Sequence, residues 1–535
     1  MLGLNQDVPL LLSSVLEHGA ANFGAVPVIS ASPRETVRTD YRATAVRARR
    51  LANALRGLGF GPDTMTGSLA WNTHRHLELF YAVTGLGAVL HTANPRLPPM
   101  HIAYTINFAD YHTLFIDLDT IELAESLADR LTSVRQYVIM APRDAIPPTN
   151  LPNIVSYEDL IDAGDPEIQW PVLDERTACL LCFTSGTTGD PKGALYDHRG
   201  TILNAMSTGA GNGWALSAND TILAIPGLFH CNGWAVPFFG PMYGAKLVLP
   251  GRRAEMPWLH GLIMDEGVTV APGVPTIWLS MLDHCLTNDL SLGRMNRIFS
   301  GGTAPPATMI ETYLTKFNIR TIHGWGMTET TSGATMSFAP RSLPPEDAMT
   351  IMRTPGKPLF GTRIRIVDDD EAQIPPDGVT PGHLQSRGHW SAAGYFRRPE
   401  LDTVTPDGWL RTGDVATISP DGVLHIVDRA KDVIKSGGEW ISSQTIEDAA
   451  CRHPAIAEAA VVAMPHPRWQ ERPFLILVAR EPVTEAAIRE HLIDLIPKWW
   501  LPDSIAFVEA LPHGPTGKLA KKIIRDWMIE GKLTP

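Results

Sequence analysis

Residues 184–193 read Thr184-Ser185-Gly186-Thr187-Thr188-Gly189-Asp190-Pro191-Lys192-Gly193, directly after the apolar run Ala178-Cys179-Leu180-Leu181-Cys182-Phe183. Four hydroxyl residues, three glycines and a lysine fall within ten positions. Glycine lets a backbone approach a ligand closely, and successive N–H groups form a concave site for an anion. Hydroxyls add donors and Lys192 adds positive charge. The chemistry predicted is capture of a polyphosphate. The spacing is not that of a Walker A loop, because Pro191 lies five positions after Gly186 and Gly193 follows Lys192. A P-loop NTPase fold is therefore not supported.

Such a loop needs a scaffold that presents it. Strand-like and helix-like segments alternate through most of the chain. Leu51, Ala54, Leu55 and Leu58 have helical spacing, closed by Gly57 and Gly59. Residues 64–71 are short and uncharged enough for a strand, and residues 77–90 read as a buried helix running into another strand. Residues 247–249, 268–270 and 297–299 repeat the short-strand pattern. This alternation predicts an α/β architecture with largely parallel sheets. Near residue 360 the pattern changes to antiparallel hairpins, with Asp368-Asp369-Asp370 as a solvated tip and Pro375-Pro376-Asp377-Gly378 as a turn. Another break falls near Asp428-Arg429-Ala430-Lys431-Asp432, followed by a strand at 459–464, a helix at 485–496 and a strand at 505–508. That is enough chain for a small independent domain.

Composition limits the function. The chain has 535 residues, 44% hydrophobic and 19% charged, with a net charge of -12. Such a balance suits a globular protein of several domains and argues against a general nucleic-acid binder, which needs a broad cationic surface. The first twenty residues lack a basic leader pattern, and residues 79–95, though free of formal charge, are broken by Thr84, His91, Thr92 and Asn94. No membrane span is predicted, and the cytoplasm is the default location. Five cysteines do not suggest a disulfide framework. Cys179 and Cys182, three apart on a strand, are expected to face opposite sides and to serve as packing.

Five further segments accompany the opening loop: Phe229-His230-Cys231-Asn232-Gly233-Trp234, Ser300-Gly301-Gly302-Thr303-Ala304-Pro305, Gly324-Trp325-Gly326-Met327-Thr328-Glu329-Thr330, Gly408-Trp409-Leu410-Arg411-Thr412-Gly413-Asp414 and Pro515-Thr516-Gly517-Lys518. In this order and at these distances they resemble the adenylate-forming superfamily of acyl-CoA synthetases, peptide-synthetase adenylation domains and beetle luciferases. The resemblance covers about residues 40–530. Residues 435–443 and 465–473 look like the medium- and long-chain acyl-CoA synthetases. Ala70-Trp71-Asn72-Thr73-His74 and His91-Thr92-Ala93-Asn94-Pro95-Arg96 resemble a branch with medium-chain and 3-methylmercaptopropionyl-CoA ligases. The implied fold is a large N-terminal domain, residues 1–429, of two α/β subdomains plus a distorted β-barrel. A small mobile α+β domain, residues 430–535, follows it.

The resemblance also implies roles. Thr184, Ser185, Gly186, Thr187, Thr188 and Lys192 would cradle the β- and γ-phosphates of ATP. Thr328 would donate to the α-phosphate. Glu329 would ligate Mg²⁺, a hard cation that favours carboxylate oxygen. Gly302, Thr303 and Ala304 would line the adenine slot, with His323, Gly324, Trp325, Gly326 and Met327 completing the nucleotide site. Asp414 would accept the ribose hydroxyls, assisted by Arg429. His230 would position substrate and serve the thioester step, and Trp234, with Gly301 and Gly302, would bound the acyl pocket. Lys518 would bridge carboxylate and phosphate oxygens as charge builds, a free lysine, with a pKa near ~10.4, being a cation at neutral pH. Lys431 aligns with the hinge about which the small domain turns, and Gly437, Gly438, Glu439 and Trp440 would form the CoA-side face. His383 and His425 depart from the usual family residues at positions outside the catalytic set.

The implied activity has two half-reactions. A carboxylate attacks the α-phosphate of ATP to give acyl-AMP and pyrophosphate, and the CoA thiol then displaces AMP. The substrates are ATP, CoA and a short or medium fatty or methylthio-alkanoic acid, such as 3-methylmercaptopropionate, with Mg²⁺ and without nucleic acid. Many members of the family dimerise, so a homodimer is one implied assembly. Two other functions fit the same motifs: adenylation with transfer to a carrier protein, and an inactive adenylate-binding regulator. The absence of a carrier segment after Pro535 disfavours the first, and Lys192, Glu329, Asp414 and Lys518 together disfavour the second.

Overall fold

The computed structural model describes the chain apart from residues 2, 33, 185–189, 341, 438, 515–518 and 534–535. It divides into two compact units. The first contains Met1–Thr184, Pro191–Arg363 and Arg387–Gly408, and the second contains Ile364–Ser386 and Trp409–Pro535.

Two sheets build the first unit. One has seven strands in the order Ile154–Ser156, Gln136–Ile139, Thr113–Ile116, Met65–Leu69, Val89–Thr92, Ala178–Phe183, Gly193–Asp197, and only the last pair is antiparallel. The other has nine, in the order Lys357–Pro358, Thr335–Met336, Arg320–Trp325, Arg297–Gly301, Val270–Gly273, Thr221–Leu223, Lys246–Leu249, Pro27–Ala31, Thr36–Asp40. Its interior pairs are parallel and its outer ones antiparallel. The helix Tyr41–Gly57 starts where the Asp40 side chain accepts from the Ala43 N–H, and it buries Ala45, Ala48, Leu51, Ala52 and Leu55 along one stripe. The helix His74–Gly85, capped by Thr73, is buried over nearly its whole circumference. A helix in that state must lie between layers. One core accordingly takes Leu90 and Leu180 from the first sheet, Val28, Ile222 and Leu247 from the second, and Phe80 and Tyr81 from this helix.

Cys179 and Cys182 do not face opposite sides as alternation predicts. A register shift between Ala178 and Leu180 turns Cys179 toward the core that also holds Cys182. Both thiols are free and fully buried.

The second unit holds the antiparallel strands expected after residue 360. They form a four-stranded sheet, Thr362–Val367, Gly382–Gly388, Leu410–Ile418, Leu424–Arg429, in chain order. The expected distorted barrel is corrected to this open sheet, because among the described residues the last strand does not pair back to the first. Asp368-Asp369-Asp370 forms the exposed tip of a hairpin closed by Val367 and Gln373. A five-stranded sheet follows, centred on Ile456–His466 and Gln470–Ala479. Its side chains alternate between two small cores: Val461, Leu475 and Leu477 face one, and Ala460, Val462, Phe474 and Ile476 face the other. Helices Ser443–Cys451, Glu485–Ile493 and Lys521–Ile529 cover these faces. Among the described residues, no helix is long and apolar enough to cross a membrane.

Candidate active site

The glycine- and hydroxyl-rich run joins two antiparallel strands, Ala178–Phe183 and Gly193–Asp197. Its neck is closed twice: the Thr184 N–H donates to the Lys192 carbonyl at 2.9 Å, and the Lys192 N–H donates to Thr184 Oγ1 at 3.0 Å. Strand–loop–strand connectivity separates this site from the strand–loop–helix of a Walker A motif. Ser185, Gly186, Thr187 and Thr188 lie outside the described residues. At the rim, the Lys192 ammonium sits 5.1 Å from the centre of the Tyr395 ring.

Tyr395 also donates through its phenol to Glu329 Oε1. Glu329 is 4% exposed, in the short 3₁₀ turn Thr328–Thr330 after the strand Arg320–Trp325. The segment carrying Tyr395 is tied to both sides of the site. The Ala392 N–H donates to the Glu329 carbonyl at 2.7 Å, and the Phe396 N–H donates to the Gly193 carbonyl at 2.8 Å. A second tie comes from Tyr196, whose hydroxyl donates to the Thr328 carbonyl at 2.5 Å across 132 residues of sequence. Lys192, Thr328 and Glu329 are thus gathered by two tyrosines that motif reading passed over.

Gly301, Gly302, Thr303 and Ala304 leave the end of the strand Arg297–Gly301, and Gly301 pairs in register with Gly324 on the neighbouring parallel strand. Gly302 has φ +89°, a conformation that only glycine adopts at low cost, and Gly302, Thr303 and Ala304 are exposed. The ends of parallel strands are where open α/β sheets take ligands. His323 and Trp325 are buried in the adjacent strand, and burial holds the His323 imidazole down at a pKa of about 4, neutral at pH 7. A Cβ on Gly326 would meet the Ser332 carbonyl oxygen at 2.1 Å, so the turn into Met327 and Thr328 needs glycine.

His230 is half-buried and stands where the chain enters a left-handed turn, Cys231 to Ala235, with φ between 37° and 75° at every residue. Asn232 Nδ2 secures this turn to Thr92 Oγ1 at 3.0 Å. The approach to His230 is pinned by Asn72, which donates to the Ala224 and Pro226 carbonyls and accepts from the Leu228 N–H. Cys231 Sγ lies 3.5 Å from Thr328 Oγ1, linking the histidine segment to the 3₁₀ turn. Trp234 is 6% exposed and meets the Phe299 ring edge-on at 5.5 Å, with Trp214 stacked behind Phe299 at 5.0 Å. Phe299 was not singled out by motif, because its role comes only from the strands packed around it.

In the second unit, Asp414 and Arg429 pair across adjacent strands, with Arg429 Nε 2.9 Å from Asp414 Oδ1. Asp414 is 3% exposed. Lys431 is exposed, and its carbonyl accepts from Arg525, which also pairs with Asp432. Gly437, at φ +61°, donates its N–H to the Trp469 carbonyl. Trp440 lies under the Lys435 ammonium and against the His383 ring at 5.3 Å. Glu439 pairs by backbone with Ser436. Its side chain, with Gly438 and Lys518, lies outside the described residues.

Among the described residues no group of three or more His, Cys, Asp or Glu side chains is arranged to hold a metal ion. A single buried carboxylate suits Mg²⁺, which keeps waters and takes most other ligands from phosphate oxygens. Glu329 fits that donor set. The described arrangement brings one cation, Lys192, and one buried carboxylate, Glu329, against the same side chain, Tyr395.

The AMP-binding enzyme family profile matches residues 16–396, and the AMP-binding enzyme C-terminal domain profile matches residues 445–518. The chain is 43% identical to a 3-methylmercaptopropionyl-CoA ligase of Ruegeria lacuscaerulensis, over 98% of both chains. It is 40% identical to a medium-chain-fatty-acid–CoA ligase of Ectopseudomonas oleovorans, over 98% of this chain and 97% of that one. Among solved structures it is similar to an anthranilate CoA ligase in complex with anthranoyl-AMP, at a TM-score of 0.86 and 23% identity over 98% and 99% of the two chains.

Proposed function

This chain belongs to the AMP-binding enzyme family and is an AMP-forming acid–CoA ligase using ATP and CoA, and we propose that its acids are short or medium fatty or methylthio-alkanoic acids. The observation that carries the proposal is the convergence of Lys192, Thr328 and Glu329 around Tyr196 and Tyr395, beside the apolar wall of Trp234 and Phe299.

In the proposed cycle, the Thr184–Thr188 hydroxyls and backbone with Lys192 hold the β- and γ-phosphates, and Thr328 donates to the α-phosphate. Glu329 would hold Mg²⁺, which supplies charge neutralisation on the phosphates. Small residues Gly302, Thr303 and Ala304, with 323–327, seat the adenine, and Asp414 with Arg429 takes the ribose. The carboxylate oxygen attacks the α-phosphorus and pyrophosphate leaves, with Lys518 offsetting the developing charge. The CoA thiol, losing its proton, then attacks the acyl carbonyl and AMP leaves, with His230 positioning the acyl group. We assign residues 1–429 to the adenylate-binding domain and 430–535 to a lid turning about Lys431. One orientation presents Lys518, and the other presents Gly437, Gly438, Glu439 and Trp440 to CoA. The cytoplasm, where ATP and CoA are supplied, is the proposed location, and a homodimer the proposed assembly.

Incubation with ATP, Mg²⁺, CoA and a panel of acids from C2 to C16, with aromatic and methylthio acids added, tests this. Thioester should form best on C3–C8 acids or 3-methylmercaptopropionate. Acyl-AMP without thioester would indicate a carrier-protein acceptor instead.

A further inference from the structure

We propose that Tyr395 is a positioning residue for ATP capture: its phenol aims the Glu329 carboxylate while its ring face seats the Lys192 ammonium. This rests on the assignment of Lys192 and Glu329 to the phosphates and their metal ion.

Two independent contacts converge on one side chain. The Tyr395 hydroxyl donates to Glu329 Oε1, and Lys192 Nζ stands 5.1 Å from the ring centre. A buried carboxylate left to rotate would present its oxygens indifferently, whereas a donor on one oxygen fixes the plane of the group. Outer partners of this kind orient metal-binding carboxylates, and losing one typically weakens metal binding about 10- to 100-fold. The ring supplies the second effect, because its negative face attracts a cation within ~6 Å. Lysine is a flexible point charge on a four-carbon stem, so an aromatic rest narrows where its ammonium waits.

The backbone around Tyr395 is placed to make both contacts rigid. Thr331 Oγ1 donates to the Trp390 carbonyl at 2.9 Å, and the Trp390 indole donates to the Gly333 carbonyl at 2.8 Å. With the Ala392 and Phe396 N–H bonds to Glu329 and Gly193, residues 390–396 are clipped to the acid's turn at one end and to the loop neck at the other. The phenol and the ring therefore couple the metal-binding and phosphate-binding halves of one seat.

Titration calorimetry of the full chain with ATP, in Mg²⁺ and in EDTA, separates the two contacts. Tyr395→Phe should weaken ATP binding in Mg²⁺ about 10- to 100-fold while changing it less than about twofold in EDTA. Tyr395→Ala should weaken both. Tyr395→Trp, which keeps an aromatic face without the phenol, should repeat the Tyr395→Phe pattern and stands in if that variant does not fold. Glu329→Gln and Lys192→Ala serve as references. If Glu329→Gln abolishes the Mg²⁺ effect while Tyr395→Phe binds like the unaltered chain, the role of Tyr395 is overturned and the site assignment survives. If neither reference variant changes ATP binding, the site assignment itself fails, and the role of Tyr395 with it.

Discussion

Glu329 is an acid at 4% exposure, and a carboxylate taken out of water costs several kcal/mol unless its oxygens are answered by donors or cations. Tyr395 answers one oxygen, and that need explains why a tyrosine stands there and not a phenylalanine. Trp234 poses a different problem, since its φ of 53° is a region that glycine occupies freely and bulky residues do not. A bulky ring held at such a backbone position points to the ring and not the backbone as the feature in use. Trp234→Gly should relieve the left-handed backbone at the cost of a cavity against Phe299. Longer acids should then gain up to ~0.8 kcal/mol for each added CH₂, about fourfold in kcat/KM. An unchanged chain-length profile would remove Trp234 from the acyl site. Lys518→Ala should slow acyl-AMP formation by about 10²–10³ and spare thioester formation from supplied acyl-AMP. Equal losses in both steps, measured by rapid quench, would refute the assignment of Lys518 to the first half-reaction.

The helix Lys521–Ile529 begins with a lysine, the sign of charge that a helix N-terminus disfavours. Lys521 is there for its partners: Nζ lies 2.7 Å from Glu447 Oε1 and donates to Ser443 Oγ at 2.5 Å, while the Ser443 N–H donates to Asp428. Burial pushes Glu447 up to about 7, opposed by Lys521. Burial also works to deprotonate Lys521, but the Glu447 and Asp428 carboxylates outweigh it and its pKa rises. Lys521→Met should destabilise the second unit by roughly 3–5 kcal/mol, the cost of a buried charge left alone. A Lys521→Met/Glu447→Leu double variant should recover part of that in urea unfolding, and equal losses in single and double variants would contradict the pairing. Contacts of this kind mark the limit of what the sequence discloses. The loop at 184–193, the strand-end glycines at 301 and 302 and the Thr328-Glu329 turn are legible because their chemistry is carried by adjacent residues. Tyr395 meets Glu329 across 66 positions, and Asn72 meets Leu228 across 156. No periodicity encodes such pairs. Cys179 shows the other limit, since one bulge at the start of a strand moved its side chain to the face that alternation denied it. The barrel expected from the family resemblance likewise depended on a closing strand pair that no local pattern specifies.

For the whole molecule, acid is the informative stress. Burial lowers five imidazoles in the first unit: His74 and His91 to about 3, and His76, His198 and His323 to about 4. Their unfolded values lie near ~6.5, so the stability they contribute is fully present above that pH and is lost as pH falls toward the folded values. Each removes about 1.4 kcal/mol per pH unit in that window. Asp117, raised to about 7 by burial, and Glu78, also raised by burial, act in the opposite sense, since the fold retains their protons. The five imidazoles outnumber the three raised carboxyls, Asp117, Glu78 and Asp197, so the urea midpoint of the first unit should fall between pH 6.5 and 4.5, and a flat or rising midpoint would contradict the buried neutral histidines. The proposed activity depends on one chemical event, transfer of an adenylyl group to an organic acid. The most direct test is exchange of labelled pyrophosphate into ATP by the purified chain with Mg²⁺ and the acid panel, without CoA. Exchange that appears only with a carboxylic acid, strongest for short or medium alkanoic or methylthio acids, is the predicted result. Exchange that ignores the acid, or none with any acid, would contradict it.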